Sequence, residues 1–454
     1  MGGLSRRATV IEQASNSIVV DVGGSLLAPG ALHGDAAEQN RIKARLVAES
    51  LGASRLDAMT LASTDWALGV ETIRSWTKEL ELPVIAANLK CDDQSLFPAY
   101  RVVESNGVRL GLVGITGGQI EGCVLYDTET SIREAFDAMG DVDVRILMLP
   151  KPIRSVSELP RVDVVLSTNR GTLQRGAKDS LEALTVPSRG KTLGRVTLSY
   201  SGHKGPWTAR GSEEEWGLRR DRLTRRMEAL RRRLGSAKDS KERERLSRSF
   251  ERVEKQVALV QSKIDGQDTV DLSKVNLVTF DQISLDRSVP DHSGTQQRVK
   301  AALEKISGVE LGSNAQMIFE RAAEPHSVFL GADGCAGCHP QATKQWRTTG
   351  HAKAMITLIA GSHQADRECV PCHTTGYGAP GGPQSPAEVK GLRDVQCEAC
   401  HGPGRDHAKE PQKHPMTRKP NDATCTFCHD GERDEGRFNK ETYWPKIVHS
   451  VADR

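Results

Sequence analysis

The chain has 454 residues, of which 37% are hydrophobic, enough for two or three domains with buried cores. Its 62 Lys and Arg against 59 Asp and Glu leave a formal charge of +3, which excludes a chain built as a whole to bind polyanions. No segment approaches the roughly 18 consecutive apolar residues of a membrane span, and Met1-Gly2-Gly3-Leu4-Ser5-Arg6-Arg7 leads on without an apolar run of signal-peptide length.

From the N-terminus, short apolar runs alternate with helical patterns. Ser17-Ile18-Val19-Val20, Ala58–Leu61, Val84–Ala86, Val108–Gly114, Arg145–Met148 and Val162–Leu166 read as strands, with helices near 38–51, 69–79 and 130–139. That alternation predicts an α/β sandwich on buried strands over residues 1–205. Cys91 and Cys123 stand alone there, as buried thiols or as a disulfide.

Residues 206–270 change character. Between Gly211 and Ile264 there are 16 Lys and Arg, 10 Asp and Glu, and no proline. Trp216, Leu223, Met227, Leu230 and Leu234, then Leu246, Phe250, Val253, Val257, Val260 and Ile264, follow four-three spacing on either side of Gly235–Asp239. Two such seams predict an antiparallel coiled-coil hairpin. Its arginines read as a solvated face; nucleic acid, anionic lipid or an acidic redox partner are the alternatives. The lack of interleaved aromatics speaks against nucleic acid. A strand over Val275–Ile283 and a helix around 293–306 then form a connector, 271–325, ending at Glu324-Pro325.

The final segment, 326–454, carries the chemistry. Cys335-Ala336-Gly337-Cys338-His339, Cys369-Val370-Pro371-Cys372-His373, Cys397-Glu398-Ala399-Cys400-His401 and Cys425-Thr426-Phe427-Cys428-His429 are four copies of C-x-x-C-H, the attachment sequence of c-type haem. The thiols bond the macrocycle's vinyl groups, and His339, His373, His401 and His429 reach the irons from one face. A zinc half-site explains one copy but not four. Motif starts 34, 28 and 28 residues apart leave too little chain for an ordinary core, so this mainly helical and irregular domain is expected to pack around four haems held close enough for electron transfer. Candidates for the opposite axial positions are His326, His351, His363, His407, His414 and His449. Haem attachment takes place outside the cytoplasm, so a periplasmic protein is expected, with an export signal upstream of this Met1.

Two resemblances add to this reading. Gly2–Arg7, Val20-Asp21-Val22-Gly23-Gly24, Pro83–Leu89 and Gly107–Thr116 resemble the metallophosphoesterase domain of the 5′-nucleotidase family over roughly residues 2–200. The family's preceding Asp-x-His strand is missing, a second pointer to a longer start. Its dimetal ligands are missing too: Gly23-Gly24 stands for Gly-Asp, Ala62-Ser63-Thr64-Asp65 for Gly-Asn-His-Glu, Leu147–Pro150 for a strand ending in histidine, and Ser167-Thr168-Asn169-Arg170 for Gly-His-x-His. Only His33 and His203 occur in the first 205 residues. A degenerate fold kept for structure or partner binding is expected, with Asp21 and Asp65 as strand-end or cap residues and no nucleotidase activity.

Gln345-Trp346, His351–Met355, Cys369–Gly378 and Gln396–His407 resemble the tetrahaem cytochrome c-554 family, whose members accept electrons from hydroxylamine oxidoreductase. The resemblance implies distal ligands at His351, His407 and, near the C-terminus, His449. It also implies a five-coordinate iron on His373, open to a small ligand such as nitric oxide unless His363 fills it. The chain therefore reads as an electron carrier between periplasmic redox partners rather than a catalyst. A haem reductase of a small nitrogen or oxygen species is the alternative.

Overall fold

A computed structural model describes residues 3–150, 161–168, 174–175, 181–185, 190–204, 207–209, 213–236, 239–265, 275–312, 328–431, 434 and 437–449. The chain divides into two compact units: residues 1–30 with 47–296, and residues 31–46 with 297–454.

The first unit is built on a six-stranded sheet. Its order is Gln174–Arg175, Leu181–Thr185, Val164–Thr168, Val144–Leu149, Val108–Gly114, Tyr100–Ser105; the inner four strands run parallel and both edge strands antiparallel. Parallel strands are covered on both faces and so read as unbroken apolar runs, as 108–114 and 144–149 do. Alternation along those runs feeds two cores. Leu110, Leu112, Ile146 and Met148 pack with Trp207, Val278 and Phe280 of a second, three-stranded sheet made of Thr192–Ser199, Asn276–Ser284 and Trp207–Ala209. Val113, Leu147 and Leu149 face the other way, onto Ile132, Ala135 and Phe136 of the helix Thr128–Ala138. Asp127 starts that helix by accepting the Thr130 N–H at 2.9 Å.

A parallel pair, Val20–Asp21 with Ala58–Met59, continues through a bridge from Met59 to Val84. The predicted strand at 84–86 is thus a single bridge. The predicted helices are Ala37–Gly52, Val70–Glu79 and Thr128–Ala138. Cys91 and Cys123 face each other on antiparallel strands and are joined in a disulfide with S–S 1.99 Å.

The helices Glu213–Ser236 and Ser240–Asp265 pack along each other. Leu246, Val253 and Val260, seven residues apart, are each at most 4% exposed, whereas the neighbouring Leu259 is 58% exposed. Asn276–Ser284 and Ser293–Leu311 follow.

In the second unit the described helices after Leu311 are at most seven residues long, from Ala332–Cys335 to Lys440–Tyr443. Buried apolar side chains there include Phe329, Met355, Leu358, Val370 and Leu392; beyond Leu392 no apolar side chain is buried among the described residues. Lys43 and Gln39 of the early helix belong to this unit: the Lys43 ammonium lies 2.7 Å and the Gln39 amide 3.2 Å from Asp366 Oδ1. Arg367 donates to both oxygens of the buried Glu310 at 2.9 and 2.8 Å. Among the described residues no helix is long and apolar enough to cross a membrane.

Candidate haem centre

In each motif the first cysteine lies in or next to a short helical turn. The turns are Ala332–Cys335, Val370–His373, Cys397–His401 and Asp422–Thr426, and the histidine stands one turn after the first cysteine. The His339 and His429 amides bond back to the Cys335 and Cys425 carbonyls at 2.9 and 3.0 Å. Such a turn carries both thiols and the imidazole toward one side, as covalent attachment at two points plus axial ligation requires. All eight motif cysteines are free thiols.

Three imidazoles are oriented by the same device. The Nδ1 of His373 donates to the Ala354 carbonyl at 2.7 Å, that of His401 to Thr417 at 2.5 Å, and that of His407 to His414 at 2.9 Å. A carbonyl only accepts, so Nδ1 carries the proton and the Nε2 lone pair is left for a metal. His429 Nδ1 stands 3.8 Å from Asp434 Oδ2, and its ring stacks on Phe438 at 4.9 Å.

Histidines from separate segments meet in pairs. The rings of His351 and His429 are 6.2 Å apart, centre to centre, and those of His401 and His449 are 5.7 Å apart. Two imidazoles that each hold one metal ion at about 2 Å from opposite faces stand at roughly this separation. Burial, and after it the charge of His429, lowers the His351 pKa from its ordinary value. The paired rings, the free thiols and the polar packing after Leu392 all fit covalently held haem.

The motifs also adjoin one another. Cys335 and Cys397 share a hydrogen bond that, with burial and the negative charges of Cys397 and Glu398, pushes the Cys335 thiol far up. The same bond lowers Cys397. Burial pushes Cys400 up, with Cys425 the next cause. The third motif borders the first, since Glu398 and Gln396 accept the N–H groups of Leu330, Gly331 and Ala332.

His363 lies elsewhere. One of its ring nitrogens, an Asp366 oxygen and Cys369 Sγ are within 4.8 Å of one another, and Nδ1 is 3.9 Å from Asp366 Oδ2. His363 thus lies beside the first cysteine of the second motif and is drawn to Asp366. His414 and His449 are exposed, and His326 lies outside the described residues.

The four segments resembling phosphoesterase metal loops hold few ligands. Asp65 is fully buried and accepts the N–H groups of Gly24, Ala62 and Leu26 at 2.7, 2.8 and 3.1 Å. Burial outweighs these bonds and raises its pKa to about 6. Asp21 accepts Gly23 N–H at 2.9 Å and Ser25 Oγ at 2.6 Å. Gly23 turns at φ +89, where a Cβ would lie 2.7 Å from the Ala62 nitrogen. Both carboxylates tie loops together. Leu147–Leu149 is strand core, and Asn169-Arg170 lies outside the described residues.

Sequence reasoning missed two side chains that shape the haem region. Glu398, inside the third motif, is 2% exposed and accepts Leu330, Gly404 and Gly331 N–H at 2.8, 2.6 and 2.8 Å. A charged residue between paired cysteines was the available signal. Lys43 lies 323 residues from its partner Asp366, and no local pattern marks it.

Residues 334–402 match the family model for cytochrome c554 and c-prime. Cytochrome c-554 of Nitrosomonas europaea is 36% identical over 69 residues, a match that covers 12% of this chain and 29% of that protein. Among solved structures the chain is similar to a 5′-nucleotidase precursor from Thermus thermophilus, with 14% identity, TM-score 0.43, and coverage of 75% of this chain and 62% of that one. It is also similar to the sulfate thiohydrolase SoxB from Thermus thermophilus in complex with glycerol, with 20% identity, TM-score 0.37, and coverage of 44% and 40%. A third is the calcineurin-like phosphoesterase YfkN from Bacillus subtilis, with 22% identity, TM-score 0.35, and coverage of 43% and 76%. Residues 334–402 are thus those of a c-type cytochrome, a family that implies covalently bound haem.

Proposed function

We propose that the chain is a tetrahaem carrier that moves electrons between extracytoplasmic redox partners. The observation that carries this is the meeting of imidazoles from separate segments, His351 with His429 and His401 with His449. Bound haem supplies reversible one-electron chemistry at iron. The residues set what that chemistry does. Cys335, Cys338, Cys369, Cys372, Cys397, Cys400, Cys425 and Cys428 fix the macrocycles, and His339, His373, His401 and His429 ligate from one face. His351 would hold the haem of the fourth motif together with His429, and His449 that of the third with His401. His407, its Nδ1 already engaged, would be a further ligand. Haem held by two imidazoles would supply electron transfer without a place for substrate, which favours a relay over a catalyst.

The phosphoesterase-like region and the helical hairpin, read as a coiled coil, serve as docking structure for the donor or acceptor. With Asp21 and Asp65 consumed by backbone N–H groups, nucleotidase activity is not expected. A second reading keeps one iron reactive. By the resemblance to the cytochrome c-554 family that iron is the one on His373, and the nearby candidate His363 is drawn to Asp366. That iron could take nitric oxide or another small nitrogen or oxygen species.

The test is the full chain made with haem maturation machinery. The mass should exceed that of the polypeptide by four haems, and reduction should take up four electrons. Fewer covalent haems would sink the tetrahaem carrier. Reduction of nitric oxide at a steady turnover would replace the relay with the reductase.

A further inference from the structure

The Glu398 carboxylate belongs to the third motif but is bound mostly by the segment that leads into the first. Leu330 and Gly331, which precede Cys335, donate their N–H groups at 2.8 Å each, and Gly404, after His401, donates at 2.6 Å. Next to it Gln396 accepts the Ala332 N–H at 2.5 Å and donates to Gly391 and Arg393 carbonyls. Gly331 is also the residue that starts the turn Ala332–Cys335, so Glu398 stands at the head of the turn that carries a haem-bearing sulfur. Among the described residues no Lys or Arg is within ion-pair distance of Glu398, which is 2% exposed. Three N–H groups orient the charge but do not neutralise it.

We propose that Glu398 is a buried anion shared by the haems of the first and third motifs, holding both at lower midpoint potential than the same haems would have without it. The inference rests on the tetrahaem reading above. Each iron gains one electron on passing from ferric to ferrous and so loses one positive charge. A fixed negative charge nearby favours the ferric form, and in a poorly solvated site it is weakly screened. The position is asymmetric, since no such carboxylate stands between the cysteines of the other three motifs.

The experiment is a spectroelectrochemical titration of the haem-loaded full chain and of Glu398→Gln, which keeps the side chain's shape and one acceptor oxygen. Two of the four midpoints should shift upward, while Glu398→Asp, which keeps the charge, should leave them nearer the starting values. Unchanged midpoints in a fully loaded Glu398→Gln protein would overturn the proposal. His339→Met and His401→Met each raise the potential of their own haem, so the component that moves identifies it. The two components identified in this way must be the ones that Glu398→Gln shifts; a shift confined to the other two overturns the proposal. A wild-type chain that carries no covalent haem overturns the tetrahaem reading instead, and haem content by mass separates the two failures.

Discussion

At the scale of the residue, two carboxylates and two histidines show how environment decides role. Asp65 and Glu398 each accept three backbone N–H groups, and Asp65 sits where burial raises its pKa to about 6. Unfolded aspartate titrates near 3.9, so between about 4 and 6 the folded chain holds a proton that the unfolded chain has released. Stability from this group is complete below pH 4 and falls by about 3 kcal/mol as pH rises through 6. Asp65→Asn does not titrate. Its urea midpoint for the first unit should therefore lack that fall, and equal slopes from pH 4 to 7 in both proteins would refute the assignment. The histidine pair makes a sharper contrast. His351→Ala should convert one low-spin ferric haem to high spin in the electron paramagnetic resonance spectrum. His363→Ala, beside Asp366 and Cys369, should leave the spin states unchanged. The sequence made both residues candidates, since both lie between the first and second motifs. The family resemblance favours His351, and the 6.2 Å approach of its ring to His429 supports that choice.

At the scale of the element, periodicity read the long pieces well. A four-three pattern found both hairpin helices, and runs of Val, Leu and Ile found the parallel strands, because both signals are local. The spacing also identified which side of the second helix is inward. Val253→Ala removes two buried methyl groups and should cost about 2 kcal/mol. Leu259→Ala, on the solvated side, should change stability by less than about 0.5 kcal/mol. Protection of the hairpin amides in hydrogen exchange measures both, and an equal loss in the two variants would mean the seam is elsewhere. The short elements were less legible. Leu89–Cys91 and Cys123–Leu125 are three residues each, too brief for alternation to show. Without them the two cysteines could be read as thiols or as a bond. They close a loop of 32 residues, so replacing both by serine should cost about 3–4 kcal/mol in the chain-entropy account. A thermal melt under oxidising conditions reads the difference, and reduction of the wild-type chain should reproduce it.

At the scale of the whole molecule, the order of residues along the chain departs from their grouping in space. Residues 31–46 stand in the middle of the phosphoesterase-like sequence, yet they fold with 297–454. The physical reason is a polar cluster. Asp366 is 2% exposed three residues before Cys369, and Lys43, Gln39 and the Glu368 N–H meet it. A carboxylate that deep is stabilised only with its partners present. Lys43→Met removes the cation and leaves the anion buried, which should cost about 3–5 kcal/mol. The location of that loss is the telling part. Unfolding of the second unit is followed by the haem absorption band, and unfolding of the first by Trp66, which is buried and bonded to Thr116. Lys43→Met should lower the urea midpoint seen by the haems and spare the one seen by Trp66, whereas Asp65→Asn should change only the one seen by Trp66. If the Lys43 variant moves the Trp66 transition instead, residues 31–46 belong energetically with the sheet. The environment of the second motif would then have to be explained without them.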